Sequence, residues 1–263
     1  MLRIGFKRSE YDTCVYYKRV NNASFVYIFL YVDDMLIASK NKQSISKLKK
    51  SLKGEFDMKD MGATNKILGI EIIRDREKRK FFLSQQKYLE KVLVKFGMGT
   101  CKLVSTPLAQ HFILSVAQAP SDEKEKLYMM ETPYANVMGC IMYAMVCTMS
   151  NIAYVVNVVN QFMANLRKAH WHTLKWTLRY LRGSLSIGLS YQGRAEMEDV
   201  ITGFVDLDYA RSIDTRKSFY SYIFTFFIGS VSWKAGLQKI VALFITKAEF
   251  VATIEEIKKV LWL

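Results

Sequence analysis

Histidine and proline are scarce in this 263-residue chain, with three of each. His170 and His172 are two apart, so they do not share a helix face, which excludes a metal centre built on that pair. Pro107, Pro120 and Pro133 fall within one stretch that also holds the charged run SDEKEK, so residues 104–133 read as a connector. The four cysteines, Cys14, Cys101, Cys140 and Cys147, form no C-x-x-C pair and no zinc-ligand spacing. That pattern excludes a structural zinc site or a disulfide framework and predicts free thiols. The opening residues MLRIGFKRSEYD lack the apolar core of a secretory leader, so an intracellular protein is expected. There is no internal repeat and no low-complexity tract.

What the chain does have is apolar residues and positive charge. Hydrophobic residues make up 51% of it, enough for a sizeable core. Lys and Arg number 38 against 24 Asp and Glu, for a formal charge of +14. That balance favours a polyanionic partner, nucleic acid first and an anionic membrane surface second. The run from Ala135 to Leu166 carries no charge and is long enough to span a bilayer, which raises a membrane-associated protein as one alternative. Six amides scattered through it, from Asn136 to Asn165, argue against insertion because desolvating them is costly.

Periodicity predicts an α+β chain. β-rich runs (CVYYKRV, SFVYIFLYV, MLIAS, ILGIEII) surround one helical stretch, Ser44 to Phe56, in which Ile45, Leu48 and Leu52 recur at helical spacing. Helical segments follow the connector and end at Arg182-Gly183. Strand patterns return in ITGFVDLDYA, SFYSYIFTFFIG, SVSWKAG and KIVALFI, and a last helix begins near Thr246.

The stretch YVDDMLIASK, Tyr31 to Lys40, places two carboxylates between runs suited to buried strands. Side chains alternate along a strand, so adjacent aspartates cannot both face one site from its middle. At a hairpin tip they can: SFVYIFLYV runs in, MLIAS runs out, and Asp33 and Asp34 sit at the bend. Hard oxygen ligands on a rigid hairpin suit Mg²⁺, which commonly takes one or two protein carboxylates. A plain turn pair is the alternative.

Together with FDMKDMG and ILGIEI, this stretch resembles the later palm motifs of reverse transcriptases from copia-type retrotransposons. The likeness continues in order through LSQQKYLEKVL, STPLA, PYANVMGCIMYAMVCT, HW and LRYLRG to GFVDLDYA, SWK, LQ and TKAEF. It implies a segment of a Pol polyprotein in three parts: a partial palm (1–75), a mostly helical thumb and connection (76–192), and an incomplete ribonuclease H-like domain (193–263). Asp33 and Asp34 would be the paired aspartates of the polymerase metal site, with Mg²⁺ as cofactor, deoxynucleoside triphosphate as substrate, and primer–template or RNA–DNA hybrid as partner. ILGIEI would be the primer-positioning hairpin, and Lys59 would lie near the triphosphate. Asp206 would be the first ribonuclease H ligand and Glu249, from TKAEFVA, the second. Thr246-x-x-Glu249 also fits a capping box, the competing role for that glutamate. The family implies a cytoplasmic or particle-associated location.

Departures from the family pattern set a further expectation. The resemblance implies another palm carboxylate well upstream of YVDD. Before Tyr31 stand thirty residues, whose Glu10 and Asp12 sit in no such motif. Further ribonuclease H ligands would lie beyond VLWL. Lys247 stands where the family usually has glutamate, and a lysine there would compete with a cation. The expectation is a fragment that does not polymerise alone; the alternative is a non-catalytic nucleic-acid-binding remnant. In AHWHTLKWTLRYLRG, Trp171, Leu174, Leu178 and Leu181 predict a buried stripe, leaving Lys175, Arg179 and Arg182 on another face that could follow phosphates.

Overall fold

The computed structural model describes residues 4–21, 24–116, 123–163, 165–193 and 200–263. The chain divides into two compact units, Met1–Thr64 (with Trp262) and Asn65–Leu261 (with Leu263).

The first unit is a four-stranded antiparallel sheet with one helix. Strands β1 (Lys7–Arg8), β2 (Val15–Asn21), β3 (Ser24–Tyr31) and β4 (Asp34–Ser39) pair in sequence order. Alternation along β3 is clear: Val26 and Ile28 are buried, whereas Phe25, Tyr27, Phe29 and Tyr31 are 37–56% exposed. Helix α1 (Lys42–Glu55) is capped by Asn41, whose side chain accepts from the backbone N–H groups of Gln43 and Ser44. Its Leu48 packs with Phe6, Val26 and Ile28 to make a small core.

The second unit holds the larger core. Strands β5 (Lys66–Ile67), β6 (Ile70–Asp75) and β7 (Lys80–Ser84) form a meander, and β8 (Gly188–Gln192) returns from far along the chain to pair with β7. Leu68 and Gly69, both at positive φ (49° and 76°), close the β5–β6 hairpin as a two-residue turn of the kind that matches strand twist. ILGIEI is thus a hairpin, and Asp75 ends a strand whose sheet continues into β7. The helices are α2 (Gln86–Lys95), α3 (Glu123–Glu131), α4 (Tyr134–Cys147), α5 (Ala153–Asn160) and α6 (Lys168–Gly183). Leu89, Val137, Met138, Ile141, Ile152, Val159, Leu174 and Leu178 are among the residues they bury together. Trp171, Leu174, Leu178 and Leu181 all face this core, as their spacing predicts.

The charge-free run is broken between α4 and α5 by a short 3₁₀ turn, Ser150–Ile152. No helix among the described residues is long and apolar enough to cross a membrane. Three of the run's amides bond within the protein: Asn157 Nδ2 donates to Ala153 O, Gln161 Nε2 to Asn157 O and Asn151 Nδ2 to the Tyr180 hydroxyl of α6.

Strands β9 (Thr202–Asp208), β10 (Phe219–Phe226) and β11 (Gly229–Leu237) make a second antiparallel sheet in the order β11-β10-β9, followed by α7 (Ile245–Val260). The mixture of helices and antiparallel sheets is an α+β architecture.

Candidate functional site

Asp33 and Asp34 stand at the end of the β3–β4 hairpin. Tyr31 pairs with Asp34, so Val32 and Asp33 are the two loop residues. Val32 adopts a φ of 50° and is 89% exposed. A β-branched residue in the left-handed region is strained, at a cost of about 1–3 kcal/mol, and persists where the flanking structure dictates it. Here the paired strands dictate it, with Ile28 fully buried on one side of the hairpin. Both aspartates are exposed and neither joins an ion pair among the described residues. The result is two uncommitted carboxylates at consecutive positions on a stiff hairpin, a donor set suited to a hard cation.

Lys59 is exposed in the loop after α1. Its neighbour Asp60 accepts from Lys49 Nζ at 2.7 Å and from the Gly62 N–H at 3.0 Å; the lysine hydrogen bond, followed by the Gly62 one, holds that carboxyl below its ordinary range.

Asp206 lies on β9 opposite Ser221, and Glu249 on the exposed side of α7. A side chain at Gly203 would collide with Glu256 of α7 and with buried Phe224, so Gly203 faces that helix. Asp206, three residues further along the strand, is turned by alternation to the other face. That face carries Phe219, whose ring lies tilted against Tyr154 of α5 with centroids 5.2 Å apart, and Trp233, whose Nε1 donates to Met145 O of α4. Those contacts are made by β10 and β11; β9 itself is exposed along most of its length, and Asp206 is exposed on the face opposite the one where Gly203 meets α7. The capping-box role for Glu249 is not the one seen: α7 begins after Phe244, which makes no side-chain cap bond, and Thr246 lies inside the helix. No group of three or more His, Cys, Asp or Glu placed to hold a metal occurs among the described residues.

The cations of α6 are engaged within the protein. Arg179 Nε donates to Lys102 O at 2.7 Å while its guanidinium lies 4.9 Å from the Trp176 ring centroid. Arg182 donates to Cys101 O, and the Lys175 ammonium sits 5.2 Å from the Trp171 ring centroid. Trp176 Nε1 and Thr177 Oγ1 bond to Thr106 O and Pro107 O. The polar face of α6 therefore seats residues 101–107, a use that charge patterning alone does not reveal. The signal available in sequence was the Trp and Thr interleaved with the arginines, side chains that can bond a passing backbone.

His170, whose spacing from His172 rules out a shared metal, has a packing role instead. It is fully buried and stacked on Phe162 at 4.5 Å. Burial, reinforced by the nearby Arg167 cation, pushes its pKa down from 6.5 to about 4.

With this geometry in place, likeness to known proteins becomes informative. Residues 1–110 match the family described as Reverse transcriptase (RNA-dependent DNA polymerase). The chain is 48% identical over 252 residues to the Retrovirus-related Pol polyprotein from transposon TNT 1-94 of Nicotiana tabacum, covering 96% of this chain and 19% of that protein. It is 32% identical over 229 residues to an uncharacterized mitochondrial protein of Arabidopsis thaliana, covering 86% of this chain and 89% of the other. Against the Retrovirus-related Pol polyprotein from transposon RE1 of Arabidopsis thaliana it is 29% identical over 263 residues, 17% of that protein. No solved structure matches. The chain belongs to the reverse transcriptase family of copia-type retrotransposon Pol polyproteins. It spans about a fifth of the tobacco polyprotein.

Proposed function

We propose that the β3–β4 hairpin is the metal-bearing edge of a polymerase palm, with Asp33 and Asp34 as ligands to Mg²⁺. The observation that carries this reading is the strained, exposed tip on which both carboxylates stand without an ion pair among the described residues. A cation held there, together with a second one, would stabilise the attacking primer 3′-oxygen and the leaving pyrophosphate during addition of a deoxynucleoside triphosphate. This chain's residues contribute the carboxylates, their fixed orientation and a basic surface that attracts primer–template. Two-metal chemistry calls for carboxylates beyond these two, so catalysis in this reading belongs to the larger polyprotein. The 263-residue chain alone then binds RNA–DNA hybrid without extending a primer.

On the same reading, residues 76–192 serve as thumb and connection, and β9–β11 with α7 begin a ribonuclease H-like fold with Asp206 and Glu249 as its ligands. Family likeness supports that pair; the geometry supports the hairpin more strongly, because alternation turns Asp206 away from α7. The test is primer extension by purified chain with Mg²⁺ or Mn²⁺, alongside hybrid binding. Salt-dependent binding without extension is expected. Extension above background that survives Asp33→Asn and Asp34→Asn would contradict the assignment.

A further inference from the structure

Helix α1, which follows the metal hairpin in the first unit, is rich in lysine. The helix contains five lysines and one acidic residue, Glu55 at its last position, with no acid in its first turn. Its apolar side is spent on the core of the first unit, where Leu52 is buried and Leu48 packs on Val26 and Ile28. Asp60 takes up one edge of the remaining surface, bonding Lys49 at 2.7 Å and lying 4.0 Å from Lys53. Lys42, Lys47 and Lys50 are left exposed and form no ion pair among the described residues.

We infer that Lys42, Lys47 and Lys50 form a sequence-independent docking face for the phosphate backbone of a nucleic-acid duplex. Around the helix Lys50 lies between Lys42 and Lys47, which are about 140° apart, so the three fan over its solvent side; along the axis they span about 12 Å, the length of roughly three to four phosphates of one duplex strand. Lysine suits this role because it is a mobile point charge that needs no fixed geometry. The first unit as a whole is basic, with twelve Lys or Arg against seven Asp or Glu in residues 1–64. Charge complementarity therefore extends beyond the helix. An anionic bilayer is the poorer fit, because a helix that binds membranes in its plane inserts an apolar face, and the apolar face of α1 is already occupied. The contrast with α6 sharpens the assignment: its arginines are held by Cys101 O and Lys102 O, whereas these lysines have no such anchor among the described residues.

The test is fluorescence anisotropy of a labelled mixed-sequence DNA duplex with the full chain in EDTA, from about 50 to 200 mM salt. EDTA removes the metal, so failure of the hairpin assignment leaves this readout intact. Every phosphate that the protein no longer neutralises reduces the slope of log K against log salt by about 0.9. The variant Lys42→Gln/Lys47→Gln/Lys50→Gln should therefore lose about 2.7 from the slope. The corresponding arginine variant should keep it. Glutamine preserves helix propensity, so circular dichroism should be unchanged. A charge-matched control, Lys66→Gln/Lys91→Gln/Lys239→Gln, should lose less than half as much. An unchanged slope in the α1 variant, an equal loss in the control, or α1-dependent binding to phosphatidylserine vesicles in place of duplex would each overturn the inference.

Discussion

The α6 arginines of the second unit and the hairpin and α1 charges of the first have different fates. In the second unit a large helical core draws the chain around it, and the cations on its rim become fasteners: Arg179 and Arg182 hold the backbone of residues 101–102, and Arg167, itself buried, donates to Val116 O. In the first unit the buried apolar set is small, Phe6, Val26, Ile28 and Leu52. There the hairpin aspartates and three α1 lysines remain uncommitted among the described residues. The α6 arginines are satisfied by neighbouring backbone, as are Arg8 and Lys18 of the first unit, which bond Thr13 O and Ile4 O, whereas the hairpin aspartates and the three α1 lysines stay available to a ligand.

The largest effects should come from the core of the second unit. Leu178→Ala removes a fully buried side chain and should cost about 2–5 kcal/mol, read by urea denaturation with the first unit's signal unmoved. If both units lose stability together, the division between them fails. Next, the arginine fasteners predict that Arg179→Ala destabilises the second unit by about 1–2 kcal/mol, because a hydrogen bond and a cation–π interaction disappear, while an RNA–DNA hybrid binds nearly as before. A large binding loss at unchanged stability would return α6 to the role its charge pattern suggested.

His170 sharpens the comparison through pH. Its pKa is near 4 in the folded state and 6.5 unfolded, so above pH 6.5 it is neutral in both states and contributes no pH dependence. As pH falls from 6.5 toward 4, the unfolded chain takes up the proton and the folded one does not. Stability should then drop by up to about 1.4 kcal/mol per pH unit in the second unit. His170→Leu should flatten that slope; an unchanged profile would show that other groups cause it. A smaller effect is expected at the hairpin tip, where Val32→Gly relieves a left-handed valine and should stabilise the first unit by up to about 1 kcal/mol. Destabilisation there would mean that the valine is not strained.

Much of this was legible in the sequence, for physical reasons that can be named. The YVDD hairpin followed from the incompatibility of adjacent carboxylates with mid-strand alternation, and the α6 stripe from spacings of three and four. Most strands on either side of the helical region were also readable, because apolar periodicity is local; KIVALFI, read as a strand, forms none, since β11 ends at Leu237 and α7 starts at Ile245. The fate of Arg179 and Arg182 was not, because the carbonyls that bind them lie some eighty positions earlier in the chain. Nor was the facing of Asp206. Alternation tells which residues share a face, but only the packing of α4, α5 and α7 decides what covers each one. The return of β8 to β7 is likewise a long-range pairing with no local signature. In the Thr246–Glu249 stretch a helix-start pattern matched the sequence, yet the helix begins at Ile245, one residue before the supposed cap.

The hairpin assignment is most directly tested by titrating Mn²⁺ into isotopically labelled chain and following backbone amide resonances. Selective broadening of residues 31–35 is expected, reversed by excess Mg²⁺ and abolished by Asp33→Asn/Asp34→Asn, which should leave stability within about 0.5 kcal/mol because both side chains are exposed. Broadening spread over the acidic surface at large, or persisting in the double variant, would contradict it.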